Sequence, residues 1–134
     1  MARTLRIFWL LLFCSGLYAQ PVRFDQLNVE HGLSQNTVNC IIKDSRGYLW
    51  IGTNDGLNRY DGYQFAVFRH LKQDSSSLSD NKVYALLEDR AGRLWVGTKN
   101  GLNRYDRNKG CFMRFGGLHG RPAGLKDHFI RSIY

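Results

Sequence analysis

No cysteine framework holds this chain together. It has three cysteines in 134 residues, and none has the Cys-x-x-Cys spacing of a metal site. Cys14 falls in an N-terminal leader. Cys40 lies in an aliphatic run, and the same slot 45 positions on is Ala85. A small apolar role is the simplest account; a bridge to Cys111 is the alternative in an oxidising compartment. Catalytic signatures are missing too: no nucleophile elbow, no Ser/His/Asp order, no repeated acid pair. His31, His70, His119 and His128 share neither register nor ligand spacing. Asp44, Asp55 and Asp89 sit in turn contexts, and no run has the oxygen density of a calcium loop. The reading is therefore of a segment that is not itself an enzyme, with no catalytic residue, no metal and no cofactor.

Long apolar stretches are also absent. Ile7 to Phe13 is the main apolar run, and spanning a bilayer needs about 20 residues. With Arg3 and Arg6 before it and Gly16-Leu17-Tyr18-Ala19 after it, residues 1–19 read as a signal peptide cut before Gln20. Phe13 before Cys14 argues against lipid attachment. The expected location is periplasmic or otherwise extracytoplasmic. From Gln20 onward, 17 basic and 11 acidic residues leave a net charge of +6. These charges are scattered among strand-like runs, without the basic stripe that nucleic acid demands, so no nucleic-acid partner is expected.

What the chain does have is repetition. Sixteen of the 29 residues from Leu33 to Asp61 recur without a gap from Leu78 to Asp106, and a further copy starts at Leu125. A period of this length marks propellers, solenoids or arrays. Each unit breaks into short apolar runs divided by turn residues. The runs are Thr37–Lys43, Tyr48–Thr53, Leu57–Tyr60 and Gln64–Phe68, then Lys82–Glu88, Arg93–Thr98, Leu102–Tyr105 and Cys111–Phe115. Asp44-Ser45-Arg46-Gly47 and Asp89-Arg90-Ala91-Gly92 have the chemistry of a type I turn closed by a left-handed glycine. Asp55-Gly56 and Asn100-Gly101 are strong hairpin signals. The second runs are apolar on both faces, as strands buried on both sides are. Gly52 and Gly97 inside them point to a close approach, by a neighbouring backbone or by the Trp of the next unit.

Four antiparallel strands in about 45 residues form a propeller blade. The expected class is all-β, with two four-stranded antiparallel blades and the start of a third. Residues 32–76 are the first blade, 77–123 the second and 124–134 the truncated third. Residues 20–31, in which Phe24 to Leu27 echo Phe68 to Leu71, are a leading strand able to close a ring. Trp50, Gly52, Gly56, Asn58, Tyr60, Trp95, Gly97, Gly101, Asn103 and Tyr105 recur in register and read as the structural core of the repeat. Function attaches to what varies on a fixed scaffold. The varied connections are His70–Ser77, polar and flexible, and the glycine-rich 116–124. Arg69, His70, Lys72, His119 and Arg121 are their candidate ligand or partner contacts.

The pattern Asp-x-x-Gly-x-Leu-Trp-(Ile/Val)-Gly-Thr-x-x-Gly-Leu-Asn-Arg-Tyr-Asp, twice present, resembles the two-component regulator propeller repeat. Gly32 to Val38 resembles its lead-in, and the likeness covers residues 24–134. The resemblance implies the periplasmic sensor region of a hybrid histidine kinase, in which many blades precede a membrane span, a kinase, a receiver and often a helix-turn-helix output domain. It implies a sensor of oligosaccharides from polysaccharide breakdown, partnered by further blades, by the kinase of a longer chain and by a second copy in a homodimer. No phosphoacceptor histidine segment, ATP-binding glycine box or receiver aspartate cluster occurs in these residues. The chain reads as the amino-terminal part of such a regulator, truncated before the kinase. The alternatives are a piece of a secreted propeller enzyme such as a lyase, and a propeller used only for protein docking.

Overall fold

The computed structural model describes residues 25–115 and 129–134. Two four-stranded antiparallel sheets make up nearly all of it. The first holds β1 (Val38–Lys43), β2 (Leu49–Thr53), β3 (Gly56–Tyr60) and β4 (Phe65–Phe68), and the second β5 (Val83–Glu88), β6 (Leu94–Thr98), β7 (Gly101–Asp106) and β8 (Cys111–Phe115). Each sheet is a plain meander in chain order, the blade architecture the repeat implied. Strand ends fall within one or two residues of the apolar runs. The leader, residues 1–19, lies outside the described residues. Of the leading segment 20–31, the described part carries a single 3-10 turn, Val29–His31, and no strand. Asp25–Leu27 are the counterparts of Arg69–Leu71, which follow the end of β4 at Phe68; the rest of the expected leading strand lies outside the described residues.

The turns form for the reasons their residues suggest. Asp44 Oδ1 accepts the Arg46 and Tyr48 backbone N–H groups at 3.0 and 2.9 Å, and Asp89 Oδ1 does the same for Ala91 and Arg93 at 3.0 Å each. Gly47 and Gly92 close these turns at φ 88° and 74°, a left-handed conformation that costs glycine nothing. The second carboxylate oxygen of each aspartate accepts the indole N–H of the blade's tryptophan, Trp50 at 2.8 Å and Trp95 at 2.9 Å. One aspartate thus shapes the hairpin and anchors the largest side chain of the blade.

The blades pack face to face. Trp50 and Leu57 of the first share a buried cluster with Leu78, Val83, Leu94, Val96, Tyr105 and Phe112 of the second. Tyr105 meets Trp50 edge-on at 5.1 Å between centroids and Phe68 at 5.5 Å. Trp50 is fully buried. Trp95 is half-buried, because its equivalent face points away from the first blade.

Gly52 and Gly97 answer a close approach, though not by a tryptophan. A Cβ on Gly52 would lie 2.6 Å from Val83 Cγ1 and 2.5 Å from Cys40 Sγ; one on Gly97 would lie 2.6 Å from Ile130 Cγ2 and 3.1 Å from the Ile130 carbonyl. Val83 and Ile130 hold the same position in successive units, so each glycine hollow receives the β-branched side chain of the following unit. Cys40 and Cys111 are both free thiols, so the bridge between them is not formed. Burial pushes the Cys40 thiol up to about 11, which keeps it protonated and inert.

Candidate functional site

β1 and β5 are interrupted at the same place. Val38 pairs with Thr53 and Cys40 with Gly52, leaving Asn39 without a partner; Val83 pairs with Thr98 and Ala85 with Gly97, leaving Tyr84 without one. A bulge re-aims the extra side chain out of the alternation of its strand. β1 and β5 are the first strands of their sheets, with one edge unpaired. The re-aimed residues therefore stand along the open edges, side by side on successive blades. In the next unit Arg131 holds the same position, one residue after Ile130. Asn39, Tyr84 and Arg131, with Phe129, line an open cleft of about 380 Å³ on the surface, where Asn39 and Arg131 are exposed and Tyr84 and Phe129 half-buried.

Phe129 organises the cleft. Its ring meets Tyr84 edge-on at 4.7 Å, and the Arg131 guanidinium carbon lies 4.8 Å from its centroid on the face. Asn39 donates through Nδ2 to the Val83 carbonyl at 2.9 Å and to Asn54 Oδ1 at 3.0 Å. That ties the first blade's edge to the second and leaves the amide oxygen turned to no partner among the described residues. Asn39 and Tyr84 hold the same place in their sheets, and Arg131, on a stretch that forms no strand, is their counterpart by sequence register; the side chains are an amide, a phenol and a guanidinium. In the cleft, register-equivalent side chains of different chemistry converge. Alignment of the two copies exposes the position as the variable residue in Val-x-(Cys/Ala), but only the strand pairing shows that it leaves the sheet.

The residues singled out from the sequence are placed as follows. Arg69 is exposed and pairs with Asp55 at 3.0 Å. Lys72 is exposed. His70 turns inward: its Nδ1 lies 2.7 Å from the Leu78 carbonyl oxygen and its backbone N–H donates to Asn81 Oδ1 at 2.7 Å. The 70–77 connection, expected to be flexible, is instead pinned by Arg114 of β8. Nη2 of Arg114 donates to the Asp74 carbonyl at 2.7 Å and to Ser77 Oγ at 2.8 Å, and its Nε to the Ser77 carbonyl at 2.8 Å. His119 and Arg121 lie outside the described residues. None of these five lines the Asn39–Tyr84–Arg131 cleft.

The recurrent residues have architectural contacts. Asn58 and Asn103 are fully buried. Asn58 Oδ1 accepts from Ser34 N at 2.8 Å and its Nδ2 donates to Ser34 Oγ at 2.8 Å and to the Ile51 carbonyl at 3.2 Å. Asn103 repeats this with Ser79 and Val96 at 3.0, 2.9 and 3.2 Å. Gly56 and Gly101 open β3 and β7, and Tyr60 donates to the Gly62 carbonyl at 2.8 Å.

One difference between the blades joins them at the rim. Tyr60 and Phe65 pair across a short turn, whereas Tyr105 and Phe112 pair across one that is two residues longer. The longer turn carries Arg107. Its Nη1 donates to Asp44 Oδ2 of the first blade at 2.7 Å, its Nη2 to Glu88 Oε1 at 3.0 Å and its Nε to the Gly92 carbonyl at 3.1 Å. Glu88 in turn accepts from Ser45 N and Oγ, each at 2.7 Å. Burial opposes ionisation of Asp44, but the bonds from Trp50, Arg107 and Tyr48 prevail and hold its pKa below the ordinary carboxylate value.

Residues 32–55 and 77–100 each match the family described as two component regulator propeller. These two units are two-component regulator propeller repeats. Each matched stretch starts just before the serine that binds the buried asparagine and ends in the β2–β3 or β6–β7 turn. The extracellular domain of BT3049 from B. thetaiotaomicron, described as a hybrid two component system, superposes with a TM-score of 0.69 at 28% identity, over 78% of this chain and 15% of that one. The extracellular domain of BT4673 from the same organism superposes with a TM-score of 0.60 at 29% identity, over 76% and 14%. A histidine kinase, P4, of Formosa agariphila is 49% identical over 47 residues, 35% of this chain and 3% of the kinase. The chain thus spans a small part of the length of each protein it resembles. The solved neighbours are extracellular domains, and no helix among the described residues is long and apolar enough to cross a membrane.

Proposed function

We propose that these blades are the extracytoplasmic ligand-sensing segment of a two-component regulator, and that the signal is a glycan. The observation that carries the reading is the cleft. One position of the repeat is turned out of the sheet by a bulge in both blades, at Asn39 and Tyr84, and with Arg131, its counterpart by sequence register, it bears three different polar side chains on an otherwise repeated frame. Repeats supply rigidity and the departures from repetition supply recognition. A ligand seated there touches three blades at once, so binding favours one arrangement of the blades over others. A ligand shifts a conformational equilibrium by its differential affinity for the two states, and a contact shared among blades supplies that difference. The exposed Arg69 and Lys72 on the β4–β5 connection offer secondary ligand or partner contacts. The phosphotransfer chemistry of a histidine kinase belongs to other parts of a longer protein.

The test is made on the full-length protein that carries these repeats, reconstituted in membranes. Autophosphorylation is followed while oligosaccharides from plant and algal polysaccharides are added to the extracytoplasmic side. A glycan that changes the rate, with the response weakened by Tyr84→Ala, is the expected result. A protein whose output ignores every glycan offered does not fit the proposal.

A further inference from the structure

Resting on that reading of the cleft, we infer that it selects an acidic sugar, one carrying a carboxylate or sulfate on the ring that reaches Arg131. The charge and geometry of the lining point there. Among the described lining residues the exposed Arg131 carries the formal charge, while Asn39, Tyr84 and Phe129 are neutral. Among the described residues Arg131 has no carboxylate within ion-pair distance. Its planar group lies over the Phe129 ring at 4.8 Å, so the ring engages the face of the guanidinium and leaves its N–H edge for a ligand. That edge presents parallel donors matched to the two oxygens of a carboxylate or sulfate.

The rest of the lining suits a sugar ring. The Tyr84 ring is held by its edge-on contact with Phe129 and offers a hydroxyl. The Asn39 side chain is fixed by its two bonds to Val83 and Asn54, with its amide oxygen available to accept from a ligand hydroxyl. A pre-positioned acceptor, a phenol and a charged fork are few but convergent polar groups, which is how small-ligand clefts set orientation. A volume of about 380 Å³ is at the small end of such sites and admits one or two sugar units rather than a long chain.

The experiment titrates the full-length protein with oligogalacturonate and oligoalginate and with their neutral counterparts, galacto- and manno-oligosaccharides, using calorimetry. An acidic set member is expected to bind, with affinity falling as salt is raised. Arg131→Gln is expected to weaken that binding by about tenfold or more, since a hydrogen bond to a charged group is worth about 1.5–3 kcal/mol; Arg131→Lys recovers only part, because a point charge lacks the fork. An unchanged melting temperature in Arg131→Gln separates this from unfolding. If the acidic sugars fail to bind, or bind equally well to Arg131→Gln, the inference is overturned. If neutral sugars bind and Tyr84→Ala abolishes it, the acidic preference is wrong while the sensing proposal stands. The sensing proposal fails only by the separate readout of autophosphorylation.

Discussion

Arg107 of the second blade places its guanidinium 2.7 Å from the carboxylate of Asp44 in the first. The Asp44 side chain is fully buried and that of Arg107 only 11% exposed, so this is an interior ion pair rather than a surface one. Asp44 also holds the Trp50 indole, so one carboxylate joins hairpin, core and neighbouring blade.

Removing one partner of such a pair leaves the other charge buried without compensation, at a cost of about 3–5 kcal/mol. Arg107→Ala is expected to lower stability at the low end of that range, since Asp44 keeps its bonds from Trp50 and Tyr48. The denaturant midpoint of the protein measures it. Asp44→Asn with Arg107→Ala should cost less than the sum of the single changes.

Acid should release the same junction. Asp44 and Asp89 both have pKa values held below 3.8, Asp44 against its burial and Asp89 chiefly by the Trp95 indole bond. A depressed carboxylate contributes stability that is complete above its unfolded pKa and is lost as pH falls through the folded one. Melting curves between pH 7 and 3 are therefore expected to stay level to about pH 4 and decline below it. In Asp44→Asn the decline should be shallower, and the gap to the parent should narrow toward pH 3.

Gly52→Ala introduces a methyl group into space held by Val83 and Cys40. Overpacking of this kind costs about 1–3 kcal/mol. Val83→Ala alone should also destabilise, by emptying the hollow. The triple variant Gly52→Ala, Cys40→Ala, Val83→Ala should be more stable than the summed single effects. Strict additivity in the unfolding free energies would show that the three atoms do not share one space.

Asn103→Ala should lower stability by about 1–3 kcal/mol, because the Ser79 N–H and the Val96 carbonyl lose a buried partner. Asn58→Ala should do the same through Ser34 and Ile51. Hydrogen exchange at the Ser79 and Ser34 amides reads the loss directly: protection of each is expected to drop only in its own variant.

The first blade leaves apolar side chains uncovered on its outer face, with Val38 46% and Ile41 54% exposed. Their counterparts Val83 and Leu86 pack into the core of the blade pair. Residues 20–134 expressed alone are therefore expected to associate with themselves, as unpaired strand edges and apolar faces do. Sedimentation velocity should show species heavier than one chain, reduced by Val38→Lys with Ile41→Lys.

The architecture was legible from residues because each strand is bracketed by turn chemistry that acts locally. Asp44 and Gly47 make their hairpin whatever packs above it, and Leu-Trp-Ile-Gly-Thr announces burial on both faces. The cleft was not legible for the opposite reason. That Asn39 and Tyr84 leave the sheet depends on how β1 pairs with β2 and β5 with β6, a relation among distant residues. Without it, a varied position inside a strand looks like tolerance rather than recognition. The His70–Ser77 connection misled for a similar reason: its residues are polar and turn-forming, and what orders them is Arg114, some forty residues later. Arg107 was visible only as part of a longer turn, with nothing local to say where it reaches.

The hollow at Gly52 and the branched side chain at Val83 make a socket and a peg on opposite sides of each unit. The array therefore has a direction: every unit receives from its successor and inserts into its predecessor. Such a chain lengthens by whole units without redesign at either junction, since a duplicated copy arrives with both halves of the coupling. Gain or loss of a complete repeat should leave this coupling intact and change only the number of blades and the rim contacts that Arg107 makes, whereas deleting a few residues between socket and peg would throw every later unit out of step.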